Sequence, residues 1–237
     1  MLQYPTRTSE FLAGIRGQLP LLLGVAPFGM AFGAYAIETG LSGGMTQAMS
    51  SMIFGGASQF VAVQLIASGV PGAMIVLAVL LVNLRHMLYS ASLAPYVAQL
   101  DAHWRWLLAY LLTDEAFAVG MQRYRRDDAS PRKHWFLFGS GFALWCTWQV
   151  TTAAGIFLGA ALPESWSLDF ALPLTFIALL IPVLTSRPAF AAAGVAGVIA
   201  VVGFDWPYAT ELIAAIVGGL AAGMLAQRLL GERVPAS

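Results

Sequence analysis

The chain has 237 residues, of which 59% are hydrophobic and only 10% charged. Soluble domains carry about a quarter charged residues, so an ordinary soluble globular protein is excluded. The balance of 12 basic against 12 acidic residues leaves no basic footprint for nucleic acid, and the single cysteine, Cys146, excludes an intramolecular disulfide.

The pattern predicts an all-α integral membrane protein, read as one transmembrane transporter domain over residues 1–237. Residues 1–10 are polar and the first apolar run begins near Leu19, which is not the layout of a signal peptide. About eight hydrophobic segments follow, at 18–37, 46–68, 71–94, 104–122, 134–161, 168–185, 188–204 and 209–229. The sixth and seventh are short and separated only by Ser186-Arg187-Pro188. They have the alternative of forming one re-entrant hairpin beside six full spans.

Basic residues set the orientation. Arg7, Arg16, Arg123, Arg125, Arg126, Arg132, Lys133, Arg187, Arg228 and Arg233 all fall on one side of the eight-span arrangement. The opposite loops hold Glu38, Asp101, Glu164, Asp169 and Asp205, with Arg105 their lone base. Both termini are therefore expected in the cytoplasm. Trp104 and Trp106 open the fourth span, Trp135 opens the fifth, and Trp166 and Trp206 lie at outer ends, the depth that amphipathic rings favour. Three small-residue motifs, Gly29-xxx-Gly33, Gly155-xxx-Gly159 and Gly219-xxx-Gly223, allow helix backbones to approach closely; packing within the chain is the simpler reading. Residues 33–41 and 155–164 echo each other faintly, in a sense that suits a parallel repeat.

Four consecutive spans carry polar or helix-breaking residues near their centres. In the first, Pro27 lies between Gly24 and Gly29. Such a residue either kinks the helix or frees backbone groups to line a cavity. In the second, Gly55-Gly56-Ala57-Ser58-Gln59 suits a broken helix facing an ion or carboxylate, and a mid-bilayer amide such as Gln59 needs partners. In the third, Arg85, Tyr89 and Ser92 share one helical face while Asn83, His86 and Ser90 share nearly the opposite one. That span is expected to be buried on both sides, or discontinuous near Asn83. The fourth carries adjacent acids, Asp114 and Glu115, about 100° apart on a helix, so at most one faces Arg85 squarely. Intramembrane ionisable groups mark transport pathways and proton relays; the plainer role for the pair is to stabilise the bundle. The basic stretch 123–133 reads as a topology anchor beside anionic membrane lipid. No serine-hydrolase, zincin or phosphate-loop motif is present, and the histidines are scattered, so neither an enzyme, a metal site nor a cofactor is expected.

The run Pro27-Phe28-Gly29, Phe54-Gly55-Gly56-Ala57-Ser58-Gln59-Phe60, Asn83-Leu84-Arg85-His86, Tyr89-Ser90-Ala91-Ser92-Leu93-Ala94-Pro95 and Leu112-Thr113-Asp114-Glu115-Ala116-Phe117 resembles the AzlC/YgaZ family, the large subunits of bacterial branched-chain amino acid exporters. Residues 168–173 and 176–180 look like a second landmark. The resemblance implies export of hydrophobic amino acids across the bacterial cytoplasmic membrane and a small membrane partner of the AzlD/YgaH type. It places the motif residues at Ser58, Gln59, Asn83, Arg85, His86, Asp114 and Glu115 without assigning their roles.

Two readings follow. In the first, a proton-coupled exporter binds its substrate through Pro27, Gly29, Gly55, Gly56, Ser58, Gln59, Asn83 and Arg85. His86, Asp114 and Glu115 then serve proton coupling or an ion pair. In the second, the chain is a structural or regulatory membrane subunit whose polar cluster only locks helices.

Overall fold

The computed structural model describes residues 5–126, 130–161, 184, 186–207 and 210–230, which are helical with no strand among them. In chain order the helices are α1 (Arg7–Glu38), α2 (Gly43–Ile53), α3 (Gly56–Ala67), α4 (Gly72–Val97), α5 (Ala102–Tyr110), α6 (Asp114–Tyr124), α7 (Lys133–Ala161), α8 (Arg187–Val202) and α9 (Thr210–Leu230). α1, α4, α7 and α9 are long and apolar enough to cross a membrane. The sixth expected segment, 168–185, and the landmark 168–180 lie outside the described residues apart from Leu184. The helices fall into two compact units, one of Met1–Phe60 with Asn83–Glu164, the other of Val61–Val82 with Ser165–Ser237.

The first unit is built on α1 and α7, which lie side by side and run in the same direction. The sequence reason is glycine. A Cβ at Gly14 would strike the Phe136 carbonyl, one at Gly139 the Phe11 carbonyl, one at Gly155 the Met30 carbonyl and one at Gly33 the Thr152 carbonyl. Gly159 abuts Ala34 in the same way, at 2.9 Å from its Cα. Two of the predicted small-residue motifs therefore form the two sides of one seam. α1 runs unbroken through Pro20 and Pro27; at 32 residues and 1.5 Å per residue it is about 48 Å long.

The second and fourth hydrophobic segments are not single helices. Each breaks in the middle and turns back. α2 starts at the far end of the unit, where a Cβ on Gly43 would lie 3.0 Å from Ile156, and descends until Gln47 and Ser51 reach Gln149. The chain bends at Phe54-Gly55 and α3 heads back along α1. Gly56 lies against Phe28, and the Phe60 ring reaches Phe28, Phe32 and Tyr35. α5 enters from the opposite end. Trp104 sits 4.8 Å from Trp135 and 5.7 Å from Phe138, and Tyr110 at its tip meets Trp145. After Leu111-Leu112-Thr113, α6 returns, with Phe117 on Tyr89, Val119 against Gly17 and Arg123 on Glu10.

The expectation of 46–68 and 104–122 as uninterrupted spans is thus corrected: each is a pair of helices. Two half-helices of 11 and 12 residues add up to the apolar length of one span, which is why hydropathy alone reads them as one. The correction moves the 98–101 link to the N-terminal end of the unit, where Tyr96 also contacts Tyr124. Arg105, the lone basic exception of the eight-span arrangement, then joins the other bases of its unit.

The third segment is one continuous helix, α4, antiparallel to α1, and it is not buried on both sides as expected: Leu84, Met87, Leu88, Ser90 and Ser92 are exposed while Asn83, Arg85, His86 and Tyr89 are half-buried. Of its polar residues, Arg85 faces Asp114 and Asn83 faces Gly55. The order helix, four-residue link, helical hairpin occurs twice, as α1–α2–α3 and as α4–α5–α6, the second inverted relative to the first. In the second unit, α8 and α9 pack through Gly218, Gly219 and Gly223 against Ile199, Ala196 and Ala192, as the third small-residue motif predicts.

Candidate functional site

The two hairpin bends meet. The Tyr110 hydroxyl, at the tip of α5, donates to the Ser51 carbonyl near the end of α2 and accepts from Trp145 Nε1 at 2.8 Å. The Tyr110 ring lies 6.1 Å from that of Phe54. α4 passes both bends. Asn83 is beside the first, where its Oδ1 would be 3.6 Å from a Cβ on Gly55. Arg85 is beside the second, its guanidinium 2.8 Å from the Asp114 carboxylate.

The bends are made differently. Phe54 has φ 43°, the only non-glycine residue in the left-handed region among those described. That conformation costs about 1–3 kcal/mol for a bulky residue and persists only where surroundings over-determine it. Here the ring is buried at 5% exposure and the carbonyls behind it are held: Ser51 O by Tyr110, Ser50 O by Gln149 Nε2 at 3.3 Å. Ser58 turns its hydroxyl back onto the Gly55 carbonyl at 2.8 Å. The second bend is a start signal for α6. Thr113 caps the helix by accepting from Ala116 N at 3.3 Å, and Asp114 and Glu115 occupy the first turn, where carboxylates complement the positive helix end. Only Asp114 reaches Arg85, in keeping with the geometry expected of adjacent acids.

The structure gathers Gly55, Gly56, Ser58, Gln59, Asn83, Arg85, Asp114 and Glu115 at or beside the two bends. His86 stands edge-on to Tyr89, 5.9 Å away, and Tyr89 stacks on Phe117 at 4.6 Å. Pro27 is exposed on α1, and Gly29 lies in the α1–α7 seam against Thr151 and Trp148. Between them Phe28 stacks on Phe60 at 4.8 Å. Several polar atoms at the bends have no hydrogen-bond partner among the described residues: both side-chain atoms of Gln59, which is wholly buried, Asn83 Oδ1, Arg85 Nε and Asp114 Oδ1. Each buried polar atom left unpaired costs about 1–3 kcal/mol, and five such atoms lie at the two bends.

Two networks escaped the sequence reading. Gln149 ties α7 to the first hairpin, accepting from Gln47 Nε2 at 2.7 Å and Ser51 Oγ at 2.8 Å, while Ser50 and Thr152 share a hydroxyl bond at 3.1 Å. Arg123, expected as part of a topology anchor beside anionic lipid, is buried and forms a two-pronged pair with Glu10, which also accepts from Ser130 at 3.0 Å. Lys133 donates to the Arg126 carbonyl at 2.8 Å, just past the end of α6. The polar spacing of residues 145–152 was the visible signal for the first network; nothing local announces the second, whose partners are 113 residues apart.

A family model described as "AzlC protein" matches residues 20–162. The inner membrane protein YgaZ of Escherichia coli K12 is 31% identical over 180 residues, covering 73% of each chain. An uncharacterized membrane protein of Archaeoglobus fulgidus is 29% identical over 77% of this chain and 80% of its own. The branched-chain amino acid transport protein AzlC of Bacillus subtilis is 26% identical over 69% of this chain and 63% of its own. No solved structure matches. The matched segment holds both hairpins, α4 and the Arg85–Asp114 pair, and on it the chain belongs to the AzlC family.

Proposed function

We propose that the protein is a proton-coupled secondary transporter that exports branched-chain and related hydrophobic amino acids across the bacterial cytoplasmic membrane, working with a small AzlD/YgaH-type membrane subunit. The observation that carries this reading is the Arg85–Asp114 pair, half-exposed at the meeting of two helix bends, with one further polar atom on each partner unsatisfied.

A zwitterion carries the same two charges as that ion pair. Its carboxylate competes for Arg85 and its ammonium for Asp114, so substrate replaces the pair charge for charge and no bare ion is left in a low-dielectric setting. The bare start of α3 gives the carboxylate a second set of donors, since the first helix N–H groups have no intrahelical partner. Phe28 with Phe60 and Tyr89 with Phe117 supply apolar walls for an aliphatic side chain. Glu115 and His86 flank the pair and take the coupling proton. The membrane arrangement in this reading places both hairpins as re-entrant elements entering from opposite faces, with both termini cytoplasmic. Inverted repeats with discontinuous helices at mid-membrane are a recurring transporter architecture.

The test is efflux of labelled leucine from vesicles containing the chain and its small partner. Arg85→Ala, Asp114→Asn and Glu115→Gln each lower efflux by an order of magnitude or more at unchanged membrane abundance, and a proton ionophore collapses the wild-type rate. Normal efflux from all three variants contradicts the reading. The second reading, a structural subunit, draws on the same salt bridge as a clamp between α4 and α6; it predicts that all transport resides in the partner reconstituted alone.

A further inference from the structure

At the first hairpin bend the three atoms nearest to a Cβ built on Gly55, apart from its chain neighbours, are all oxygens: Ser58 Oγ at 2.8 Å, Asn83 Oδ1 at 3.6 Å and Ile53 O at 3.8 Å. They come from α3, α4 and the end of α2. Each offers only lone pairs. The Ser58 proton is committed to the Gly55 carbonyl, Ile53 O is a carbonyl at the negative end of α2, and Asn83 Oδ1 is buried without a partner. Gln59, wholly buried on the first turns of α3, adds an unpartnered amide, and helix geometry tilts its side chain back toward the bend. The three oxygens converge with no proton to offer, and the Gln59 amide oxygen can join them, which suits a cation. The absence of a carboxylate in the set suits a monovalent one, and carbonyls at a broken helix are groups that hold alkali ions in membrane proteins.

We infer that the Gly55 bend binds one alkali cation of sodium size, held by Ile53 O, Ser58 Oγ and Asn83 Oδ1 with the Gln59 amide as a further ligand. The site stands apart from the Arg85–Asp114 pair and does not depend on the transport reading. It also explains why residue 55 lacks a side chain: its φ is not positive, so the backbone does not require glycine, whereas a Cβ would fill the space between the oxygens.

Thermal unfolding of the purified full chain in detergent tests this without transport or substrate. Sodium chloride replacing choline chloride at constant ionic strength raises the wild-type Tm saturably, by about 3–6 °C at ten times the dissociation constant. Asn83→Leu and Gly55→Ala abolish the rise, Asn83→Asp moves half-saturation to lower sodium by about tenfold, and the exposed control Ser92→Ala behaves as wild type. Equal Tm in sodium and choline overturns the site, as does a sodium response that persists in both Asn83→Leu and Gly55→Ala. A response to leucine in choline with none to sodium or lithium also overturns it, and would assign the oxygens to the substrate ammonium.

Discussion

The two hairpins share an architecture and differ in chemistry. α2–α3 carries no charged residue and is held by neutral groups: Gln47, Ser50 and Ser51 against α7, Ser58 against Gly55. α5–α6 is ionic, with Asp114 on Arg85 at its bend and Arg123 on Glu10 at its base. A neutral hairpin is positioned by directional bonds that cost little to exchange. An ionic hairpin is fixed by whichever counter-ion it holds, and a competing charge acts on it most strongly. Within the second hairpin the two pairs also differ. Glu10 and Arg123 are almost inaccessible, whereas Arg85 and Asp114 are 35% and 40% exposed. In the proposed transport reading the first stays closed and the second is exchanged for substrate.

The largest effect is expected at the base of the ionic hairpin. Arg123→Ala leaves the Glu10 carboxylate buried and unpaired, and removing one member of a buried pair costs about 3–5 kcal/mol. Thermal unfolding or folded yield in detergent reads this, and Glu10→Leu combined with Arg123→Met recovers most of it. Next comes the seam on which both hairpins rest. Gly155→Val drives a side chain into the Met30 carbonyl, backbone that cannot step aside, with a loss of about 1–3 kcal/mol. The pair at the bend separates stability from function. Asp114→Asn changes unfolding by about 0–1 kcal/mol, the range of half-exposed pairs, yet stops leucine efflux; a stability loss as large as that of Arg123→Ala would erase the contrast between the two pairs. The bond between the bends has a modest effect on stability and none on charge. Tyr110→Phe removes one hydroxyl that serves both Ser51 and Trp145, costing about 0.5–1.5 kcal/mol in the same unfolding measurement.

Much of the site was legible in sequence because it consists of residues that do not belong in an apolar run. Arg85, Asp114, Gln59 and the Gly55-Gly56 pair stand out against any background of Leu and Val. What the sequence hid was direction. A bend at mid-membrane returns the chain to the side it came from, and hydropathy has no sign for that. The links that would have revealed it are nearly silent: residues 68–71 hold no charge, and 98–101 hold only Asp101. Two cues were present. Thr113-Asp114-Glu115 is a helix start written in the middle of a supposed helix, and the Arg105 exception was the one base out of place. Glu10 and Arg123 were invisible for another reason. Both lie in stretches whose composition reads as solvated, and only the tertiary fold brings them together. The proline at 27 shows the reverse case, a conspicuous residue in a helix that simply continues.

The central claim is that α5–α6 turns back instead of crossing, and the most direct measurement is the accessibility of single cysteines in intact cells. In a Cys146→Ser background, Gln99→Cys is compared with Arg125→Cys at the N-terminal end of the first unit and Gly44→Cys at the other end, using a membrane-impermeant thiol reagent before and after permeabilisation. The hairpin predicts that Gln99→Cys and Arg125→Cys are labelled only after permeabilisation, while Gly44→Cys is labelled in intact cells. Labelling of Gln99→Cys in intact cells together with Gly44→Cys, with Arg125→Cys protected, would mean that 104–122 crosses the membrane, and would contradict the account.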